Sequence, residues 1–140
     1  MTLIKIVILI FISLELANVT ALYFAPGSKM ANAVGIFTAW EKSKQYPEIH
    51  DFVKYLVNWV AGAKLIFLLL LAVIVIYADV NTQRMSLIAL AIATVSFYWR
   101  LFPLIKKMDK KGEIDPKNYS VVLGIMIFVF IAVFITAVII

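Results

Sequence analysis

The sequence predicts an all-α integral membrane protein: a four-helix transmembrane bundle forming a single domain over 1–140, with a short cytoplasmic amphipathic interfacial helix between helices 1 and 2. Composition is the first reason. Of 140 residues, 64% are hydrophobic and 15% charged, against about half and about a quarter in a soluble domain. The mean hydropathy is +1.02. A chain this short cannot hide that excess in a core, because small domains leave much of their surface exposed. The surface is therefore expected to meet lipid. The second reason is spacing: four apolar stretches each reach the ~20 residues that a helix needs to cross a bilayer. The third is that most charged residues collect between those stretches.

The first span is expected over about 3–24, ended by Pro26-Gly27. Lys5 ahead of an apolar run is a feature of signal peptides. The run is longer than an h-region, however, Glu15 interrupts it, and no convincing A-x-A-like site follows, so it reads as a retained helix. The connection to the second span is too long for an unstructured link in a compact protein. Ser28 is a good N-cap residue. Met30, Val34, Phe37 and Trp40 follow at helical spacing, with Lys29, Asn32, Lys42 and Lys44 as the polar complement. That pattern predicts an amphipathic helix over about 28–44, either lying in the cytoplasmic interface or packed against that end of the bundle.

Pro47, with Glu48 and Asp51 close behind it, opens the next helix, since proline suits a first turn and acids suit the positive end of the helix dipole. Its span is expected over about 56–77, so the helix projects beyond the bilayer. Residues 79–83 form a tight polar turn, which makes the flanking helices antiparallel neighbours. The third span is expected over about 85–105. A mostly charged loop over 106–118 follows, with Asp115-Pro116 marking the start of the last helix. The fourth span, about 119–140, carries no charge from 121 onward.

Lys29, Lys42, Lys44 and Lys54 lie in or beside the first loop, and Lys106, Lys107, Lys110, Lys111 and Lys117 in the third. Only Lys5 and Arg84 fall on the other side. The positive-inside rule then places the first and third loops in the cytoplasm and both termini outside, in a multi-pass protein of the cell or inner membrane. In that orientation the sequons Asn18-Val19-Thr20 and Asn118-Tyr119-Ser120 would not meet the glycosylation machinery. The same distribution explains the net charge of +5. Basic residues in juxtamembrane loops point to anionic lipid headgroups and away from nucleic acid, which would need a separate basic face.

Several chemistries have no support. The chain has no cysteine, which removes disulfides, thiolate metal sites and thiol catalysis. There is no phosphate-binding glycine loop and no nucleophile motif. His50 is the single histidine, and neither Glu41 nor the third loop offers it metal-ligand spacing. No cofactor or metal is expected, and the reading leans away from an enzyme.

Ionisable residues inside spans are functional-site candidates because they are costly there. Glu15, Lys64 and Arg100 are such residues. Glu15 and Lys64 fall at similar depth in antiparallel helices, so an ion pair or its hydrogen-bonded neutral counterpart is expected. Asn18 lies one turn from Glu15. His50, Lys54, Ala61 and Lys64 share a line on the second helix, flanked by Asn58. Ser86, Ala89, Ala93 and Arg100 share a face of the third, where small residues allow close approach. These residues predict a polar pocket opening from the midplane toward the cytoplasm, with Glu15 and Lys64 as its floor and His50, Lys54 and Arg100 at its mouth. The plainer alternative is that the pair fixes helix register while Lys54 and Arg100 snorkel to the interface. The fourth helix, with only Gly124 and Thr136 to offer, reads as packing and lipid-facing surface.

Two functional classes follow. One is a non-catalytic accessory or assembly subunit of a larger membrane complex, with protein subunits as partners. The other is a small homo-oligomeric transporter or binding protein for a lipid-like or charged small molecule, using the midplane cluster as transporters commonly do.

Overall fold

The computed structural model describes residues 2–140. It contains four helices long and apolar enough to cross a membrane. α1 runs Leu3–Phe24, α3 Pro47–Tyr77 and α6 Tyr119–Ile139, while the third candidate span is built from α4 (Val80–Val95) and α5 (Phe97–Lys110). The remaining helix, α2, is the short Thr38–Ser43.

α1 starts at Thr2, whose hydroxyl oxygen accepts from the Lys5 amide at 3.3 Å. Ser13 and Thr20 donate to the carbonyls of Leu9 and Leu16 at 2.9 and 2.8 Å. Hydroxyls satisfied by their own helix can sit in hydrocarbon without a further partner, so neither is needed in a polar site.

The turn between α3 and α4 is shorter than 79–83, because α4 is already helical from Val80. Asp79 caps it, accepting from the Thr82 amide at 2.9 Å and the Thr82 hydroxyl at 3.1 Å. The Thr82 amide, and then its hydroxyl, hold the Asp79 carboxyl below the usual aspartate range. Gln83 is buried and donates to the carbonyls of Ala78 and Val75 at 3.0 and 3.3 Å, sealing the end of α3.

Beyond this turn α3 and α4 diverge, so the expected side-by-side pairing holds only at the turn. α3 packs on α1, whereas α4 packs on α6 and α1. α4 sends Leu87 and Leu90 into a core with Ile8, Phe11, Leu71, Val75 and Phe134, while its small residues Ser86, Ala89 and Ala93 face Phe67, Leu70 and Ile74 of α3 across an apolar groove of about 330 Å³. The aromatic centre of that core is Phe11, edge-on to Phe130 and Phe134 at 5.7 and 5.3 Å. α6 thus supplies core packing.

The third candidate span is not one continuous helix. At Ser96 the ladder tightens to 3-10 spacing, with Ser96 N to Ala93 O at 3.2 Å and Trp99 N to Ser96 O at 3.1 Å. Pro103 lies inside α5, where it has no amide for the preceding turn and its ring crowds that carbonyl. α5 docks on α6: the Tyr98 hydroxyl donates to the Gly124 carbonyl at 2.5 Å, and Phe102 fills the space that a Cβ at Gly124 would occupy, 2.7 Å away.

The expected helix over 28–44 is confined to a 3-10 turn at Val34–Ile36 and to α2. Ala31 and Asn32 take left-handed backbone conformations, φ 52° and 53°, which no right-handed helix can pass through. Ser28 accepts the Met30 amide at 3.0 Å, capping a turn in place of a helix. Gly35 packs directly on the Gly27 backbone, where a Cβ would lie 1.9 Å from the Gly27 carbonyl oxygen. The apolar stripe is split accordingly: Trp40 is buried, Val34 and Phe37 are half-buried and Met30 is exposed, while Ala33 and Ile36 beside it are buried. Ala33 packs with Leu22, Val57 and Ala61, and Ile36 with Ile105 and Ile114.

The last helix begins at Tyr119, three residues beyond Pro116, after Asn118 in a left-handed conformation, φ 63°. Its N-terminus is capped from a distance. Asp109 accepts from the amides of Asn118 and Ser120 at 3.0 and 2.9 Å and from the Ser120 hydroxyl at 2.6 Å. The first and third loops are stitched together: Thr38 N donates to Glu113 O at 3.0 Å and Asp115 N to Ile36 O at 2.9 Å. A Lys29–Asp115 ion pair and a Tyr119–Asn32 hydrogen bond add side-chain links. Together the two loops cap one end of the bundle.

Candidate functional site

Glu15 and Asn18 are separated by one turn of α1, so their side chains neighbour each other on one face. Lys64 lies on the α3 face that holds Val57, Ala61 and Leu68 against the bundle, all of them buried. Antiparallel packing of α1 on α3 brings the three polar residues together. Lys64 Nζ donates to Glu15 Oε2 at 2.6 Å and to Asn18 Oδ1 at 2.6 Å. Asn18 Nδ2 in turn donates to the Ala31 carbonyl at 2.5 Å. Asn18 is buried, but the Lys64 and Glu15 side chains keep 34% and 22% of their surface accessible. An ammonium has three donors, of which Lys64 uses two here. Among the described residues Glu15 Oε1 has no hydrogen-bond partner. The pair therefore retains a free donor and a free acceptor side by side.

That capacity faces a cavity of about 370 Å³ bounded by α1, α3, α5, α6 and the first loop. Its polar lining is Glu15, Asn18, Lys64, Asn32 and Tyr119, and its walls include Val60, Phe97, Leu101, Leu104, Met126 and Ile127. Val34, Ile36 and Phe37 line the end covered by the joined loops, so the cavity does not open along the bundle axis toward that end. It opens sideways. α3 and α5 share no packed interface, and Val60, Leu101 and Leu104 between them are exposed while lining the cavity.

Of the residues singled out in the sequence, Glu15, Lys64 and Asn18 converge. The others do not join them. Asn58 is exposed and outside the cavity. Arg100 is exposed, its guanidinium 5.3 Å from the Trp99 ring. Lys54 lies 3.6 Å from Asp51. His50 shares the α3 line of Lys64, but that part of the helix meets α2, so its Nδ1 contacts the Ser43 hydroxyl at 2.8 Å and its ring lies tilted 4.8 Å from that of Trp40. Ser86, Ala89 and Ala93 line the α3–α4 groove instead. Asn32, Tyr119 and Phe97 belong to the cavity without having been singled out for it. Among the described residues no three His, Cys, Asp or Glu side chains converge as a metal site.

Chemically, the arrangement offers a hydrogen-bonding ion pair in apolar surroundings. An unpaired polar group of a guest would be costly there, on the order of 2–7 kcal/mol in transfer terms, so a guest that satisfies the free donor and acceptor is selected over a plain hydrocarbon. Compared with models of known families, with curated proteins and with solved structures, the chain matches none. Its site is read from its own geometry.

Proposed function

We propose that the protein is a non-catalytic membrane protein that binds an amphipathic small molecule in the lateral cavity, admitting it from the surrounding leaflet. The observation that carries this reading is the partly exposed Lys64–Glu15 pair at the floor of an apolar-walled cavity that opens sideways. Each charge costs roughly 2.5–3.5 kcal/mol at a helix centre on insertion scales. A pair serving register alone gains most when sealed, with every valence used. This pair keeps valences free toward a space that a guest can fill. In the orientation favoured by the basic loops, the opening lies in the cytoplasmic half of the bilayer, with both termini outside. A ligand hydroxyl or carbonyl engages Lys64 and Glu15 while its chain lies along Leu104, Met126 and Ile127. Transport by this site would draw on further copies, since one bundle of four helices encloses no conduit.

Binding of a fluorescent monoacylglycerol to the protein in nanodiscs tests the reading. Saturable binding is expected for the natural sequence, weakened at least tenfold by Glu15→Leu together with Lys64→Met. Equal binding by both forms overturns it.

A second reading, as an accessory subunit of a larger complex, is favoured by the groove between α3 and α4, whose floor of Ser86, Ala89 and Ala93 would admit a partner helix closely. Stoichiometric co-purification of another membrane protein in mild detergent, lost on Ala89→Trp, would support it.

A further inference from the structure

We infer that the guest of the lateral cavity is a single-chain amphiphile bearing a phosphate, with the phosphate held at the lip of the opening by Arg100 and Lys107 and the adjoining hydroxyl or carbonyl at Lys64–Glu15. The inference rests on the binding reading above and names its ligand class.

The placement follows from Leu104, which lines the cavity and is 53% exposed at its mouth. Arg100 precedes it by four residues and Lys107 follows it by three, the spacings that make surface neighbours on a helix. The two cations therefore flank the mouth on the α5 side. Both are exposed, and neither is in an ion pair among the described residues. The acids of the cavity floor and of α5 already have partners, Glu15 in Lys64 and Asp109 in Ser120. Across the opening, α3 presents Val60, which is apolar and exposed. The lip is thus cationic on one side and apolar on the other, as an anionic head with a chain requires.

Arginine matches phosphate with paired donors, and a lysine nearby adds a point charge. The Arg100 guanidinium is placed by its contact with the Trp99 ring, 5.3 Å away. A phosphate monoester carries about −1.5 to −2 charges at neutral pH, which suits one guanidinium and one ammonium. Not all the basic residues of α5 share this role. Lys106 leans over the Phe102 ring at 5.8 Å, on the side where α5 meets α6, and serves as an internal control.

The experiment compares lysophosphatidic acid with monoacylglycerol of the same chain, each fluorescent, binding to the full chain in nanodiscs of zwitterionic lipid. The natural sequence is expected to prefer the phosphate probe at least tenfold. Arg100→Gln with Lys107→Gln is expected to abolish that preference while leaving monoacylglycerol binding intact, which also reports that the variant is folded. Lys106→Gln is expected to preserve the preference. Equal affinity of the natural sequence for both probes overturns the inference and leaves the binding reading standing. So does a loss on Lys106→Gln as large as that of the double variant, since it would reflect general surface charge. Displacement of the probe by millimolar inorganic phosphate also overturns it, because free phosphate would then be the ligand. Failure of the natural sequence to bind either probe overturns both.

Discussion

Asn18 donates its side-chain amide to the carbonyl of Ala31 at 2.5 Å while its oxygen accepts from Lys64. One side chain thereby joins the floor of the cavity to the loop that closes its end. Asn32, the next residue in that loop, meets Tyr119 at the top of α6, so the floor, the loop and the last helix form one connected polar path.

Asn18→Leu is expected to loosen the first loop specifically. It removes the donor to Ala31 and the second acceptor of Lys64, a cost of about 1–3 kcal/mol for a buried polar group left without its partner. The chain has no cysteine of its own, so Phe37→Cys, on the loop side of the cavity, can be labelled without interference. Thiol modification at that position is expected to run about tenfold faster with Asn18→Leu, which corresponds to ~1.4 kcal/mol of loosening. An unchanged rate would show that the loop is held by its stitches to Glu113 and Asp115 alone.

The Glu15–Lys64 contact predicts strong non-additivity. Removing either charge leaves the other in low-dielectric surroundings, and breaking a buried pair costs about 3–5 kcal/mol. Partial exposure of both side chains, 22% and 34%, puts the expected cost near the bottom of that range. Replacing both together, Glu15→Leu with Lys64→Met, leaves no orphan charge and is expected to restore most of the stability. A double-mutant cycle by reversible unfolding in bicelles measures this. Additive single effects would mean that the two groups do not interact.

Much of this architecture is written in hydropathy. Crossings need long apolar runs, and those runs mark the helices to within a few residues. Glu15 and Lys64 were legible for the same reason: charges stand out in apolar spans, and antiparallel helices of known depth bring equal depths together. What escaped was direction. Helical spacing in the first loop looked continuous because Met30, Val34, Phe37 and Trp40 recur correctly, yet the left-handed Ala31 and Asn32 interrupt it. Alanine does not announce such a conformation, although asparagine is enriched in it; here it accompanies the Gly27–Gly35 backbone contact and the Asn18 hydrogen bond to Ala31. The placement of His50 failed similarly. Shared faces on a helix hold only while the helix keeps one neighbour. α3 changes neighbour from α1 to α2 along its length, which sets His50 against Ser43 and Trp40.

The contact between Gly35 and Gly27 predicts that the loop tolerates no side chain there. Gly35→Ala would set a Cβ 1.9 Å from the Gly27 carbonyl oxygen. Backbone must move, and overpacking of this kind costs typically 1–3 kcal/mol, occasionally more. Gly112 is the contrasting case: its φ is +71°, but no atom lies within 4 Å of the position a Cβ would take. Gly112→Asn is therefore expected to be nearly silent, because asparagine tolerates left-handed backbone. Thermal unfolding of the two variants separates them, and an equal loss would remove the packing argument.

The α3–α4 turn predicts a response to acid with a defined sign. Asp79 has its carboxyl held below the usual range by the Thr82 amide first and the Thr82 hydroxyl second. A carboxyl whose folded value is depressed contributes stability that is fully present above its unfolded value, ~3.9, and is lost as pH falls through the folded value. The cap is thus expected to be whole at neutral pH and to weaken below about pH 4, seen as faster amide exchange at Thr82 and Gln83. Asp79→Asn keeps a capping oxygen and is expected to remove this pH dependence while preserving slow exchange at neutral pH. Gln83→Leu is expected to act differently. It strips the donor from the Val75 and Ala78 carbonyls, costing about 1–3 kcal/mol at every pH, because no titrating group is lost. If Asp79→Asn retained the full acid response, the proton would be binding elsewhere and the cap would not be its origin.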